Sequence, residues 1–550
     1  MRRLLCLAAV CACSSSTKSS RPSESWEPLS QRVLQHVFHA SPTMAVSLGL
    51  HDYDGEMADV TPAGIDGNIT ALRADEAALV AAQPATPLEH DERDALLIQV
   101  RGMLFDLVER DRLHRNPMAY SLDLEPYVVR AYAPAPVRAA AVAQICKAAP
   151  VYFDQARKNL IPPFPKAWLD TALLQTKGTA EFAQKDARTA LPEASAAFDG
   201  CKAAADSYAA WLESQLPNAT SDFALGEKRF LAMLSATEGI DLDLATLKRI
   251  AEADLARNLD ALAKAAHDID PAKSVADVVN AVRADRPAAT TVLAEATQQA
   301  AELRQFIIDH NIVTIPRDGA AEVRETPAFA RWNSASLSPP GVFDANTLQS
   351  YYYITPPDPA WPVEEQQTYL MPRGNLLFTT VHEVYPGHFV DFLHARANPS
   401  RVLRSLGSYV VSEGWAHYTE EMMYEAGVGD HKPAAHIGQL TEALLRNVRF
   451  VVAIGEHTGG MTVAQAEALF RDKAFLSPAD ARQQAARGTF DPMYLAYTLG
   501  KLSIIKLRED WRAKHPTASL GDFHDAFLSH SGAPMPVIRR AMLGEASPVL

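Results

Sequence analysis

From about Ser30 to His310 the chain repeats one pattern: Ala- and Leu-rich segments in which apolar positions recur every three or four residues, as in helices with one buried face. In "DERDALLIQVRGMLFDLVERDRL" the stripe is Leu96, Val100, Met103, Leu104 and Leu107. Thr61-Pro62 reads as an N-cap followed by proline at the first helical position. The proline-rich breaks "AYAPAPVRA" and "NLIPPFPKAW" separate helices and do not read as long linkers. Near residue 312 the pattern changes. "IVTIP" and "SYYYITPPDPAWP" are β-branched or aromatic runs ended by prolines, which predict short strands or extended edges. From Asn375 onward the helical pattern returns, and no fixed-period repeat is present. The expected architecture is one large, mainly α protein with a small strand element. It divides into a leader and polar tether over 1–20, a helical region over 21–310, and a second region over 311–550 packed with the first as one unit.

Composition narrows the function classes. Hydrophobic residues make up 48% of the 550 positions and charged residues 21%, close to the average for folded proteins. The net charge of −14 argues against a nucleic-acid-binding protein driven by phosphate contacts. At the start, Arg2 and Arg3 precede an apolar run from Leu4 to Ala12 and then a Ser/Thr/Lys stretch, the layout of an export signal. That run is too short to span a bilayer, for which about 20 residues are needed. Cys13, after Val10-Cys11-Ala12, resembles a bacterial lipoprotein cleavage site at which the cysteine is lipidated; an ordinary signal peptide cut nearby is the alternative. A cell-envelope location follows from either, with membrane association only through Cys13. The body keeps two cysteines, Cys146 and Cys201, which could pair or remain buried thiols.

The candidate chemistry starts at "VHEVYPGHFV", which nearly spells the zinc signature H-E-x-x-H but places His382 and His388 six residues apart. On an unbroken helix that spacing turns them roughly 240° apart. Pro386 and Gly387 are the residues able to correct this. Proline lacks the N–H that continues a helix, and glycine permits a tight bulge. A helix breaking there and resuming through "HFVDFLHAR" lets His388 swing back toward His382. An ordinary helix-ending turn with unrelated histidines is the competing reading.

In "SYVVSEGWAHYTEEMMYEAG", Val411, Trp415, Tyr418 and Met422 form an apolar stripe, and Glu413, His417, Glu420 and Tyr424 repeat the spacing on the other face. A solvated face would produce the same polar stripe. Gly414 and Trp415, however, sit poorly in a wet helix, and a glycine beside a carboxylate suits the close approach of another backbone. With His382 and His388, Glu413 completes two nitrogens and a carboxylate, the ligand set of one catalytic zinc ion with a position left for water.

The paired H-E-V-Y-P-G-H and E-G-W-A-x-Y motifs resemble the bacterial domain of unknown function 885 family, related to gluzincin-type zinc metallopeptidases. "SLGLHDYDGEMADVTPAG" and "YLAYTLGKLSIIKLRED" are similar to that family's ends. The resemblance implies a mostly helical, metallopeptidase-like fold around a deep cleft, with zinc on the positions of His382, His388 and Glu413. Glu383 is then the general base. Glu420 is a candidate to orient a ligand histidine, whereas His417 fits a hydrogen-bonded structural role as well as a place at the site. Among candidate oxyanion donors, Arg449 and His457 stand where the family has an arginine and a histidine, and Tyr497 matches the family tyrosine better than Tyr494. Ala453 departs from the acidic residue expected there, which argues against an Arg449–carboxylate pair, and core packing is the alternative for each tyrosine. The expected function is that of an exported zinc metallopeptidase acting on peptides. A non-catalytic envelope lipoprotein that binds peptides or protein partners, and a hydrolase of non-peptide amides, are the alternatives.

Overall fold

The computed structural model describes residues 25–550 apart from 317–318, 328–330, 332–333 and 359. The expected leader and the candidate lipidation position Cys13 lie outside the described residues. The protein is mainly helical, with one small sheet. Its first layer comprises the helices Trp26–Ala40, Pro62–Ala81 and Pro87–Leu104. Local chemistry sets their ends: Thr61 Oγ1 accepts from Gly64 N–H at 3.1 Å with Pro62 beginning the helix, and Thr86 and Glu89 form a capping box. Of the predicted stripe, Leu96 and Val100 are fully buried, while Met103, Leu104 and Leu107 pack half-buried against the same core.

A second layer is built from Ala135–Asn159, Lys166–Gln184 and Ser195–Gln215, and a disulfide joins Cys146 to Cys201 across it. Beyond it, Leu244–Ile269 and Val292–Asp309 enter the largest apolar core, which gathers residues from Ala95 to Val549. The helices Arg373–Glu383, Tyr409–Ala426, Pro433–Thr458 and Ala496–Lys514 share that core through Phe378, Trp415, Val448 and Ile504.

The sheet has the order β1 (Glu322–Glu325), β3 (Tyr351–Ile354), β2 (Ala335–Ser338). The central strand β3 runs parallel to β1 and antiparallel to β2, with Leu337 opposite Tyr352. "SYYYI" thus supplies the expected strand, but "IVTIP" does not. Ile312 and Val313 are buried in the core, and Thr314 donates its N–H to Asp525 Oδ1 at 2.7 Å and its hydroxyl to Oδ2 at 2.6 Å, so side-chain anchoring takes the place of a ladder. Buried Tyr352 places its hydroxyl 3.2 Å from Thr380 Oγ1, docking the sheet on the Arg373–Glu383 helix just before His382 and Glu383. No helix among the described residues is long and apolar enough to cross a membrane.

Candidate metal centre

The Arg373–Glu383 helix stops where the sequence predicts. Pro386 has no N–H to offer, and the chain reverses through Val384 and Tyr385 before His388 opens the next helix, His388–Ala397. Gly387 closes the reversal: its N–H donates to Val381 O at 3.0 Å, and a Cβ there would collide with the carbonyl oxygen of His382. The break is pinned from outside by Trp415, whose indole N–H donates to Pro386 O at 2.9 Å. His388 is thereby turned back onto His382, their rings edge-on with centroids 4.8 Å apart.

Glu413 arrives on Tyr409–Ala426, which lies unusually close to Ala496–Lys514. A Cβ on Gly414 would sit 2.5 Å from Gly500 Cα, so the crossing requires both glycines. The Glu413 carboxylate faces both histidines. Its Oε2 is 3.4 Å from His382 Nε2 and 3.3 Å from His388 Nε2, and it is buried without a hydrogen bond of standard geometry. Ligand atoms about 2.0–2.1 Å from a tetrahedral zinc ion are separated from one another by about 3.3 Å. The three side chains could therefore hold such an ion with little rearrangement, and they are the group of this kind among the described residues.

The other ring nitrogens fix the two imidazoles. His382 Nδ1–H donates to Glu420 Oε1 at 2.7 Å, and His388 Nδ1 lies 3.5 Å from Ser412 Oγ. Fully buried Glu420 is held in turn by Arg446 at 3.2 Å and by His417 at 3.4 Å. Burial would raise the Glu420 carboxyl, but Arg446, His417 and His382 outweigh it and hold it far below the usual carboxylate range. For His417 burial wins over Glu420 and lowers the imidazole to about 4. In the protein without a cation, burial opposes protonation of His382, yet Glu413 and Glu420 raise it to about 9. Metal ligation would need the neutral ring.

Glu383 follows His382 but points elsewhere, and its Oε2 accepts the Leu337 N–H of β2 at 2.8 Å. Tyr497 lies beside the triad, its ring centroid 6.3 Å from that of His382. Burial and the Glu413 charge raise its phenol above the ordinary value. The structure does not bring His457 to this group. It lies eleven residues beyond Arg446, roughly 16 Å along the Pro433–Thr458 helix, where Nε2–H donates to Gly488 O at 2.8 Å and Phe223 and Phe230 flank the ring. Tyr494 is likewise elsewhere, fully buried beside Glu456 and Gly488. Sequence reasoning gives no place at this site to Arg446, Ser412 or Leu337, nor to Tyr409, whose ring stands edge-on to that of Tyr497 at 5.9 Å, or to Arg487, which donates to the Tyr409 hydroxyl at 2.8 Å. Arg446 carries a local signal, as one of several charged residues, with Arg449 and Glu456, on the buried side of its helix.

The fold recurs in solved structures. A candidate lipoprotein of unknown function from Shewanella oneidensis is 25% identical, with a TM-score of 0.78 over 94% of this chain and 100% of that one. A candidate lipoprotein from Colwellia psychrerythraea is 18% identical, with a TM-score of 0.79 over 94% of this chain and 99% of that one, and it shows the fold alone. No functionally curated protein matches the chain. Residues 42–542 match the family described as "Bacterial protein of unknown function (DUF885)", and the chain belongs to that family.

Proposed function

We propose that the protein is an exported zinc-dependent peptidase in which His382, His388 and Glu413 hold one zinc ion and Glu383 is the general base. The observation that carries this reading is the convergence of two Nε2 atoms at 3.3 and 3.4 Å on an otherwise unpartnered Glu413 oxygen. Zinc bound there would supply Lewis-acid polarisation of a carbonyl and a water whose pKa falls to about 7. The chain's own groups do the rest. Glu383 takes the proton of the attacking water and returns it to the leaving amine, while the Leu337 N–H keeps one carboxylate oxygen oriented. Glu420 and Arg446 hold His382 with Nε2 free for the ion. Tyr497 is the candidate donor to the developing oxyanion. Kinship with gluzincin-type metallopeptidases is part of this proposal.

Export is supported by the leader pattern and by the Cys146–Cys201 pairing, since disulfides persist in oxidising compartments. The Shewanella oneidensis protein, named as a candidate lipoprotein, agrees with lipid anchoring at Cys13.

Metal analysis of the purified mature protein, combined with digestion of a peptide library, tests the reading. Wild type and Glu383→Gln should both carry about one zinc per chain, and the substitution should lower cleavage by about 10²–10⁴-fold. A protein that takes up no zinc, or a Glu383→Gln variant that cleaves at the wild-type rate, contradicts it.

A further inference from the structure

Three arginines converge on Tyr497, and two of them are neutralised. Arg446 pairs with Glu420 and Glu442, and Arg487 pairs with Asp491 at 2.9 Å. Arg449 has no carboxylate partner among the described residues, although it is only 7% exposed. Its Nε donates to the neutral Gln484 Oε1 at 2.9 Å, and its guanidinium carbon stands 4.8 Å over the Tyr497 ring. Ala453, one turn further along the helix, is buried and offers no charge. Burial, Arg487 and Arg446 all push Arg449 below its ordinary pKa, against weaker support from Tyr497 and Tyr409. A buried cation among other cations is unfavourable for the resting fold, and an incoming anion would remove that penalty.

Position limits what the anion can be. The Tyr497 ring centre is 4.8 Å from the Arg449 guanidinium carbon and 6.3 Å from the His382 ring centre, so those two are no more than about 11 Å apart. One or two residues of extended chain, at about 3.5 Å each, cover that gap once ligand and hydrogen-bond distances are added at its ends. Arginine's planar fork suits a carboxylate.

Resting on the peptidase reading, we infer that Arg449 receives a carboxylate of the substrate one or two residues beyond the bond that is cut. A C-terminal α-carboxylate in that place makes the protein a carboxypeptidase, in which water adds across the peptide bond and the last one or two residues leave. An acidic side chain would supply the same chemistry within a longer peptide.

Calorimetric titration of the zinc-loaded and zinc-free protein with matched pools of short N-acetylated peptides separates these cases. One pool has free C-termini, one is amidated, and one is amidated with aspartate or glutamate as the last residue. Wild type should bind a carboxylate-bearing pool about tenfold or more tightly than the plain amidated pool. Arg449→Gln should abolish that preference and Arg449→Lys retain part of it. Thermal melts provide the folding control, and removal of an unpaired cation should leave them unlowered. Preference for free termini identifies a carboxypeptidase, and equal binding of the acidic amidated pool identifies side-chain recognition. Equal affinity for all pools, absence of binding included, overturns the proposal, as does a preference that survives in Arg449→Gln. Arg449-dependent carboxylate binding without cleavage would sink the peptidase reading and leave this site standing. Cleavage indifferent to the terminus or an acidic residue would do the reverse.

Discussion

Around the Cys146–Cys201 disulfide, the helices Ala135–Asn159, Lys166–Gln184 and Ser195–Gln215 meet through Ala149, Phe153, Leu169, Phe198 and Leu212, and their ion pairs lie at the surface. Around Tyr409–Ala426 the helices also bury large apolar side chains, but charge goes in with them. Lys501 is fully buried between Asp254 at 2.9 Å and Glu421 at 3.1 Å, and Glu420 and Arg446 form a second buried pair on the same group of helices. Buried ion pairs are poor sources of stability, because desolvation opposes their attraction, yet they tolerate little displacement. The first region is held by apolar contact and a covalent link. In the second, stability is spent on fixing where polar groups point, which is what a site with imidazoles in set orientations requires.

The largest expected effect falls on the charged region. Lys501→Met leaves the half-exposed Arg257 as the remaining cation paired with Asp254 and Glu421 among the described residues, beside the neutral Asn447 amide on Asp254. Burial alone would raise Glu421, and Lys501 is foremost among the groups that bring it down to about 2. The substitution should lower stability by about 3–5 kcal/mol, measured by denaturant unfolding at neutral pH. A loss under about 1 kcal/mol would mean that the pair is structurally idle and that the contrast between the regions is false.

The contrast also explains what could be read from the sequence. Pro386 and Gly387 announce a break through backbone chemistry, and Gly414 a close crossing, so the two histidines and Glu413 could be brought together on paper. Strands "EVRE" and "ASLS" could not, because such short, largely polar segments carry no strong alternating pattern and pair only where β3 offers a template. Nor could Glu420–Arg446 or Lys501–Asp254, whose partners are brought together by tertiary packing. In the sequence Trp415 is one more member of an apolar stripe, whereas in the structure its indole N–H pins the chain at Pro386. His457 shows the converse: a histidine on a helix that does reach the site, but too far along it.

A smaller effect belongs to the apolar region. Cys146→Ala with Cys201→Ala opens a link spanning 55 residues and should cost about 2–4 kcal/mol, while zinc content stays at the wild-type level. Reductant should lower the wild-type melting temperature and leave the double variant unmoved. If reductant leaves the wild type unmoved as well, the covalent link contributes nothing, and apolar packing alone holds these helices.

The smallest effect sits where charge meets solvent. His51 donates from Nδ1 to Asp54 at 3.0 Å and from Nε2 to Asp344 at 2.9 Å, with its ring stacked on Tyr132 at 3.6 Å. It thus joins the N-terminal layer to the loop that follows β2. Burial would lower this imidazole, but the hydrogen bonds and charges of Asp344 and Asp54 outweigh it and raise the pKa from 6.5 to about 9. A histidine raised on folding stabilises fully below its unfolded pKa of 6.5, and the contribution disappears as pH climbs through about 9. The full shift would correspond to about 3 kcal/mol, which solvent contact reduces to about 1–2 kcal/mol. His51→Gln should therefore be less stable than wild type by that amount at pH 6, with the gap closing above about pH 9 in denaturant titrations. A gap that does not change with pH would assign the loss to the Tyr132 stacking contact and show that even at this boundary the fold relies on packing rather than charge.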